Sequence, residues 1–188
     1  MKPIPASIRA AIIGGTLDGK STLAAGYVRG YWARHGLRAI VFDPWKGESK
    51  PVDWGPSAWV TADFDAFRRA VSNTKNCVIV WDEGTSYGGR DRENTKLFTA
   101  IRHHHPVLLF IGHGYATMLP IMRHSLSEVL LAVRNADDAA EWADVMVDEE
   151  VRVLSTRLKQ YEFLHKRKHQ PCRVLRYTPE ELARGITL

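Results

Sequence analysis

The stretch Gly14-Gly15-Thr16-Leu17-Asp18-Gly19-Lys20-Ser21 is the part of this sequence that decides its fold. It follows the pattern G-x-x-x-x-G-K-[ST], in which a glycine-rich turn joins a strand to a helix. The flanks fit that context, because residues 8–13 are apolar and suit a buried strand, and residues 21–28 suit a helix. The sequence therefore predicts a phosphate-binding P-loop between a first strand and a first helix.

The residue types of this loop suit a bound triphosphate. Glycines let backbone N–H groups close around phosphate oxygens, and the helix N-terminus adds the positive end of a dipole. We expect Lys20 to reach the β- and γ-phosphates of ATP, and the Ser21 hydroxyl to bind Mg²⁺. The predicted nucleotide-binding residues are Gly14, Gly15, Thr16, Leu17, Asp18, Gly19, Lys20, Ser21 and Thr22. The alternative is a glycine turn that binds nothing, which the complete pattern and both flanks disfavour.

Length and composition limit the class of protein. The 188 residues suffice for one domain with a core and are short for two. The longest apolar run, 107–112, has the length of a strand rather than the ~20 residues of a membrane span, and the N-terminus lacks the apolar core of a signal peptide. We therefore expect a cytoplasmic protein. Cys77 and Cys172 form neither a metal motif nor a disulfide framework.

The net charge of +5 permits binding to a polyanion without requiring it. Much of the excess lies late in the chain, at Arg152, Arg157, Lys159, Lys166, Arg167, Lys168, Arg173 and Arg176. A solvated basic face remains the alternative explanation.

Apolar strands and helical patterns alternate along the chain. Strands are predicted over 8–13, 38–43, 77–81, 106–111 and 128–133, and helices over 20–34, 63–73, 95–103, from Asn135 onward and over 149–156. Residues 49–59 are expected to be irregular, and Pro120 is expected to interrupt a helix or turn over 115–123. Residues 161–166 and 172–177 predict a hairpin, followed by a helix capped by Thr178. The predicted fold class is therefore α/β: a RecA-like P-loop core with five parallel strands, flanking helices and a C-terminal β-hairpin.

Two adjacent acids end the predicted strand over 77–81. Buried strands normally end in turn residues, so Asp82 and Glu83 require an explanation. In P-loop ATPases the first acid holds Mg²⁺ and the second polarises the attacking water. We therefore predict Asp82 as the metal-side acid, together with Ser21, and Glu83 as the general base. The alternative is a solvated strand end, which the upstream P-loop disfavours.

Histidines near the next strand suggest a further role. His113 follows the strand over 106–111, where a polar side chain would lie beside the γ-phosphate and report hydrolysis. The alternative is a loop histidine without a role. The run 103–105 does not predict a metal site, because three successive residues at a helix end cannot all face one ion. Arg102 and His103 are of more interest as a pair on the helix after the acids.

These features together resemble the FtsK-HerA superfamily of DNA-pumping ATPases. Within it, the sequence is most similar to the genome-packaging ATPases of membrane-containing viruses with double jelly-roll capsids. The matching segments are Gly14 to Ser21, Asp43-Pro44-Trp45-Lys46-Gly47-Glu48, Trp81-Asp82-Glu83-Gly84, Arg102-His103, Phe110-Ile111-Gly112-His113 and Tyr161-Glu162-Phe163-Leu164. The P-loop and the paired acids are shared by many ATPases, whereas the Asp43 loop, the Arg102-His103 pair and the Tyr161 segment carry the family assignment.

The resemblance implies a ring, with a hexamer favoured, that threads double-stranded DNA through a basic channel. It also implies ATP bound between subunits, with a neighbour's arginine stabilising the transferring phosphate. The candidates are Arg90, Arg92, Arg102 and Arg123, of which Arg102 and Arg90 are favoured. The expected location is the host cell cytoplasm, with association to virions and contacts to capsid vertex proteins as further expectations.

Two departures and two alternatives stand beside this resemblance. The family's sensor is commonly an amide where this chain has His113, and Asp18 places an acid near the phosphates that is expected to weaken nucleotide affinity. A phage morphogenesis or secretion ATPase of the same superfamily is one alternative, although such proteins usually carry a membrane span. A small-molecule P-loop kinase is the other, which has no need of a water-activating Glu83.

Overall fold

The computed structural model describes residues 7–47, 52–84 and 94–188. The strands are β1 (Ile8–Gly14), β2 (Ala39–Phe42), β3 (Ala58–Thr61), β4 (Val78–Trp81), β5 (Val107–Gly112), β6 (Glu128–Ala132), β7 (Glu162–Arg167) and β8 (Arg173–Arg176). The helices are α1 (Lys20–His35), α2 (Phe64–Asn73), α3 (Asn94–His104), α4 (Pro120–His124), α5 (Ala136–Met146), α6 (Glu149–Ser155) and α7 (Pro179–Arg184). The predicted alternation of strands and helices is confirmed.

All of these strands belong to one sheet, in the order β3-β2-β4-β5-β1-β6-β7-β8. The first six in this order run parallel, whereas β7 pairs antiparallel with β6 and with β8. The predicted hairpin therefore extends the parallel sheet at one edge. The carboxyl ends of the parallel strands all meet at the same side of the sheet, which is where α/β proteins bind ligands.

The parallel part has one strand more than predicted. Residues 58–61 form β3, although residues 49–59 were expected to be irregular. The neighbouring Gly55 and Pro56 made a strand of four residues hard to predict. Within the described ranges, β3 is the edge strand of the sheet and pairs with β2. A second expectation was wrong at Pro120, which begins α4 instead of interrupting a helix. Proline suits this first helical position, because its missing N–H would have had no partner there.

Two helical layers cover the two faces of the sheet. Successive residues of β1 alternate between them, so that Ala11 and Ile13 belong to one apolar cluster and Ala10 and Ile12 to the other. Buried side chains of α1 fill one cluster, and those of α2 to α6 fill the other. Both faces of β1 are therefore buried, which explains its almost continuous apolar sequence.

The segment around α7 packs directly on the backbone of α1. The N–H of Ile186 donates to the carbonyl of Gly26 at 3.0 Å, and a Cβ placed on Gly30 would lie 1.8 Å from the Ile186 oxygen. Only glycine permits this approach in the middle of a helix. The contact fixes the C-terminal segment against the helix that follows the P-loop. Within the described ranges, no helix is both long and apolar enough to cross a membrane.

Candidate active site

The predicted P-loop connects β1 to α1 as expected. Gly19 has φ 83° and precedes the first residue of α1, Lys20, so a left-handed glycine turns the chain into the helix. Gly14 packs against β6, where an added Cβ would lie 2.8 Å from the Ala132 Cβ. Leu17 also has positive φ and is largely exposed at the outside of the loop. The glycines thus serve both the turn and its close packing on the sheet.

Lys20 lies against its own loop. Its side chain is 7% exposed, and Nζ donates to the Gly15 carbonyl at 2.7 Å. Burial lowers the pKa of Lys20, and the carboxylates of Glu83, Asp18 and Asp82 oppose that shift. A buried ammonium surrounded by three acids is well placed to exchange its carbonyl partner for phosphate oxygens.

The sequence placed the acid Asp18 near the phosphates, and the structure shows that its charge is paired. One carboxylate oxygen accepts the Gly15 N–H at 2.7 Å, and the other pairs with Arg134 Nη2 at 2.9 Å. The expected repulsion of phosphate is therefore reduced by a cation from the loop after β6. Sequence reasoning missed Arg134. It could have been predicted from its position, because it lies two residues beyond β6, and Ala132 at the end of β6 pairs with Gly14 of the P-loop.

The predicted metal-side residues meet across the sheet edge. Asp82 is 3% exposed, and burial raises its pKa to about 6, against the hydrogen bonds from the Ser21 side chain and the Glu83 amide. The Glu83 N–H donates to Asp82 Oδ1 at 2.8 Å. A hydroxyl and a carboxylate in contact are the hard oxygen donors that Mg²⁺ prefers. Ser21 and Asp82 therefore fit the group predicted for them.

Glu83 and His113 form a direct pair. His113 Nε2 lies 2.9 Å from Glu83 Oε1 and 3.1 Å from Oε2. Glu83 has φ 49°, an unfavourable backbone conformation for a residue with a side chain, and such strain is common at functional sites. Gly84 lets the chain continue close to β5, because a Cβ there would lie 2.2 Å from the Phe110 ring.

Asp43 directly follows β2 at the same edge. Its carboxylate accepts the indole N–H of Trp54 at 2.9 Å and the N–H of Trp45 at 3.0 Å. These bonds tie the loop after β2 to residues before β3. Glu48, the last residue of the predicted Asp43 loop, lies outside the described residues.

Among the arginine candidates, Arg102 is not brought to this edge. Arg102 is exposed near the end of α3, and its carbonyl accepts a hydrogen bond from Arg9 Nη2 at 2.8 Å. Arg9 lies at the start of β1 and Gly14 at its end. Arg102 is therefore near the amino ends of the parallel strands, away from the edge that carries the P-loop. Arg123 donates to the carbonyls of Tyr115 and Met118 and lies over the Tyr115 ring.

Arg90 and Arg92 lie outside the described residues. Of the candidates that the structure describes, Arg102 therefore requires the site of a neighbouring subunit.

Several late basic residues are paired within the chain. Arg167 and His165 both bind the buried carboxylate of Glu128, and Lys166 pairs with Asp148. Arg152 pairs with Glu149. Part of the basic excess of the hairpin thus stabilises the fold.

The fold and the arrangement of its edge are those of a P-loop NTPase: a parallel sheet, a P-loop between β1 and α1, and paired acids two strands away. Solved structures share this architecture. The genome-packaging NTPase B204 of Sulfolobus turreted icosahedral virus 2, in complex with sulfate, superposes with a TM-score of 0.69 at 16% identity over 92% of this chain and 100% of that one.

The same protein in complex with ATP-gammaS gives a TM-score of 0.71 at 18% identity, over 90% of this chain and 96% of that one. The pCW3 conjugation coupling protein TcpA, in monomer form with ATPgS, gives 0.56 at 14% identity, over 94% of this chain and 64% of that one. These similarities confirm the predicted P-loop NTPase fold. No protein-family model matches the sequence, and no curated protein matches it significantly.

Proposed function

We propose that this chain is an ATPase that couples ATP hydrolysis to the translocation of double-stranded DNA, as a genome-packaging motor does. The observation that carries the proposal is the pair of Glu83 and His113 at the edge that also holds Lys20 and the Ser21–Asp82 contact. Fold similarity to B204 and TcpA supports the choice of class.

Each residue has a distinct task in this proposal. Lys20 leaves the Gly15 carbonyl to bind the β- and γ-phosphates, and the backbone N–H groups of the loop hold their oxygens. Mg²⁺, held by Ser21 and Asp82, would neutralise charge on the phosphates. Glu83 orients water and accepts its proton, while His113 positions the Glu83 carboxylate and responds to the γ-phosphate.

The ring is part of the same proposal. We place ATP at a boundary between subunits of a homo-oligomer, for which we favour a hexamer, with Arg102 or Arg90 supplied in trans to the transferring phosphate. Such an arginine contributes about 10³–10⁵ in rate in well-studied NTPases. Arg102 is exposed at the end of the strands opposite to Gly14. It could therefore reach a nucleotide only in the site of a neighbouring subunit. Capsid vertex proteins remain proposed partners.

An ATPase assay with and without double-stranded DNA tests the proposal. We expect hydrolysis to rise with DNA and the particle to enlarge to a ring when an ATP analogue and DNA are both present. A chain that stays monomeric at all concentrations, with no stimulation by DNA, would contradict DNA translocation. Transfer of phosphate to a small acceptor that survives Glu83→Gln would instead indicate a kinase.

The arginine can be tested by mixing subunits. Lys20→Ala and Arg102→Ala variants are each expected to be inactive alone. Mixed rings should regain activity, because some sites combine an intact P-loop with a neighbour's intact Arg102. An Arg102→Ala variant that hydrolyses ATP at the wild-type rate would leave Arg90 as the remaining favoured candidate.

A further inference from the structure

A cavity of about 520 Å³ adjoins the P-loop and is lined in part by Phe163 of β7 and Arg176 of β8. These strands lie on one side of β1 in the sheet, and β4, which precedes Glu83, lies on the other. Gly19 and Thr22 form its floor at the first turn of α1. Its walls come from the C-terminal segment and include Tyr161, Phe163, Tyr177 and Leu182. Since Glu83 marks the γ-phosphate end of the site, the nucleoside end of a bound triphosphate would point toward this cavity.

Tyr161 is the ring best placed to meet a ligand there. It lies directly before β7 and is 54% exposed despite its size. One ring carbon lies 3.5 Å from where a Cβ of Gly19 would be, so the ring adjoins the last glycine of the P-loop. The backbone of Tyr161 has φ 64°, a conformation that is costly for a residue with a side chain. An exposed aromatic ring held by a strained backbone beside a phosphate loop has the geometry of a stacking platform.

The part of the wall formed by α7 and its cap is fixed before any ligand binds. Thr178 and Glu181 form a reciprocal capping box at the start of α7. Arg29 Nε donates to the Leu182 carbonyl at 3.0 Å, and the Ile186 N–H binds Gly26. A wall fastened to α1 at several points loses little entropy on binding, which favours affinity.

The rim of the cavity is polar. Asp18, Arg176 and Thr178 line it beside the aromatic and aliphatic groups. A flat aromatic group with polar edges matches this combination of a ring face and a polar rim.

We propose that this cavity is the nucleobase subsite, in which the base of a nucleoside triphosphate stacks on Tyr161. The inference rests on the proposed function, because it takes the P-loop to bind the triphosphate. It assigns recognition of the base to the C-terminal hairpin and α7, a segment far from the P-loop in sequence. Tyr161 is a binding residue here, and Glu83 and Lys20 act without it on the phosphates.

Two ligands separate the base from the phosphates: ATPγS and inorganic tripolyphosphate, each titrated by calorimetry. Base–aromatic stacking is worth about 1–3 kcal/mol, which corresponds to roughly 5- to 150-fold in affinity. We expect Tyr161→Ala to weaken ATPγS by a factor in this range and to leave tripolyphosphate unchanged. Tyr161→Phe, which keeps the ring, should remain within about threefold of wild type for both ligands.

Two further variants serve as controls. Tyr161→Asn also removes the ring, and asparagine tolerates the left-handed backbone, so it should repeat the Tyr161→Ala result without strain. Trp59→Ala removes an exposed ring from the distant edge strand β3 and should affect neither ligand.

Each unfavourable result has a distinct meaning. Equal loss of both ligands in the two ring-deletion variants would show that Tyr161 acts on the loop, and no loss of either would place the base elsewhere. Both results overturn the inference while leaving the proposed function intact. A wild-type protein that binds neither ligand would overturn the proposed function and the inference together.

Discussion

His113 Nε2 lies within hydrogen-bonding distance of both carboxylate oxygens of Glu83, at 2.9 and 3.1 Å. The two residues are separated by 30 positions in the chain and lie just beyond the neighbouring strands β4 and β5. The imidazole thus holds the proposed general base beside the P-loop, at the place where the resembling family commonly has an amide.

Glu83→Gln is expected to abolish hydrolysis while preserving nucleotide binding. The amide is nearly isosteric with the carboxylate but cannot accept a proton, and general base catalysis is worth about 10²–10⁴ in rate. A phosphate-release assay should show kcat reduced by about that factor, and titration with ATPγS should show affinity within about threefold of wild type. Unchanged kcat would remove Glu83 from the catalytic step.

His113→Ala and His113→Asn are expected to differ. Alanine releases the Glu83 carboxylate and should lower kcat by about 10- to 100-fold, with a smaller effect on KM. Asparagine retains an N–H donor and should recover much of the loss. Steady-state kinetics of the two variants make the comparison, and equal activities would show that the contact with Glu83 has no role in turnover.

Arg134→Gln is expected to raise the KM for ATP. The Asp18 carboxylate would then remain inside the P-loop without its cation and repel the triphosphate. A rise of about tenfold corresponds to ~1.4 kcal/mol, a moderate value for one partly exposed charge pair. Adding Asp18→Asn should restore KM, because the amide oxygen can still accept the Gly15 N–H. Strictly additive effects in the double variant would exclude this coupling.

Glu128→Gln is expected to lower stability in a pH-dependent way. Burial raises the pKa of Glu128, but hydrogen bonds and charges from His165 and Arg167 outweigh it, so the net pKa is lowered. A lowered folded-state pKa stabilises the protein above the unfolded pKa of Glu, about 4.3, and this contribution is lost as the pH falls through the folded value.

Denaturant unfolding of both proteins at pH 7 and pH 3 measures that contribution. The wild type should be more stable by about 3 kcal/mol at pH 7, in the range for breaking a buried pair, and the difference should shrink at pH 3. A difference that grows toward low pH would contradict the sign of the shift.

Gly30→Ala is expected to destabilise the fold, although alanine normally stabilises a helix interior by about 1 kcal/mol relative to glycine. The added Cβ would lie 1.8 Å from the Ile186 carbonyl oxygen, so the segment after α7 must move away from α1. Thermal unfolding should show a loss of several degrees. Gly114→Ala is the control, since the atoms nearest to its Cβ would be the Asp138 carboxylate oxygens at an ordinary 3.5 Å. A stabilised Gly30→Ala protein would show that this packing is loose.

Local sequence patterns predicted most of the helices and strands, because the residues that stabilise each element lie within or beside it in the chain. The P-loop glycines, the caps Asn135 and Thr178 and the apolar strands act within a few positions of the chain. The short edge strand β3 escaped prediction, since four residues beside Gly55 and Pro56 become a strand only by pairing with β2.

The sequence by itself determined the phosphate loop, the paired acids Asp82 and Glu83, and the alternation that leads to a parallel sheet. Tertiary structure alone decided that Arg134 neutralises Asp18, that His113 holds Glu83, and that Tyr161 lies over Gly19. The physical reason is that each pair joins residues from different strands or loops. The order of the strands in the sheet decides which side chains meet, and a local sequence pattern does not reveal that order. Charge pairing and ring contacts depend on distances of a few ångströms, which the folded sheet sets.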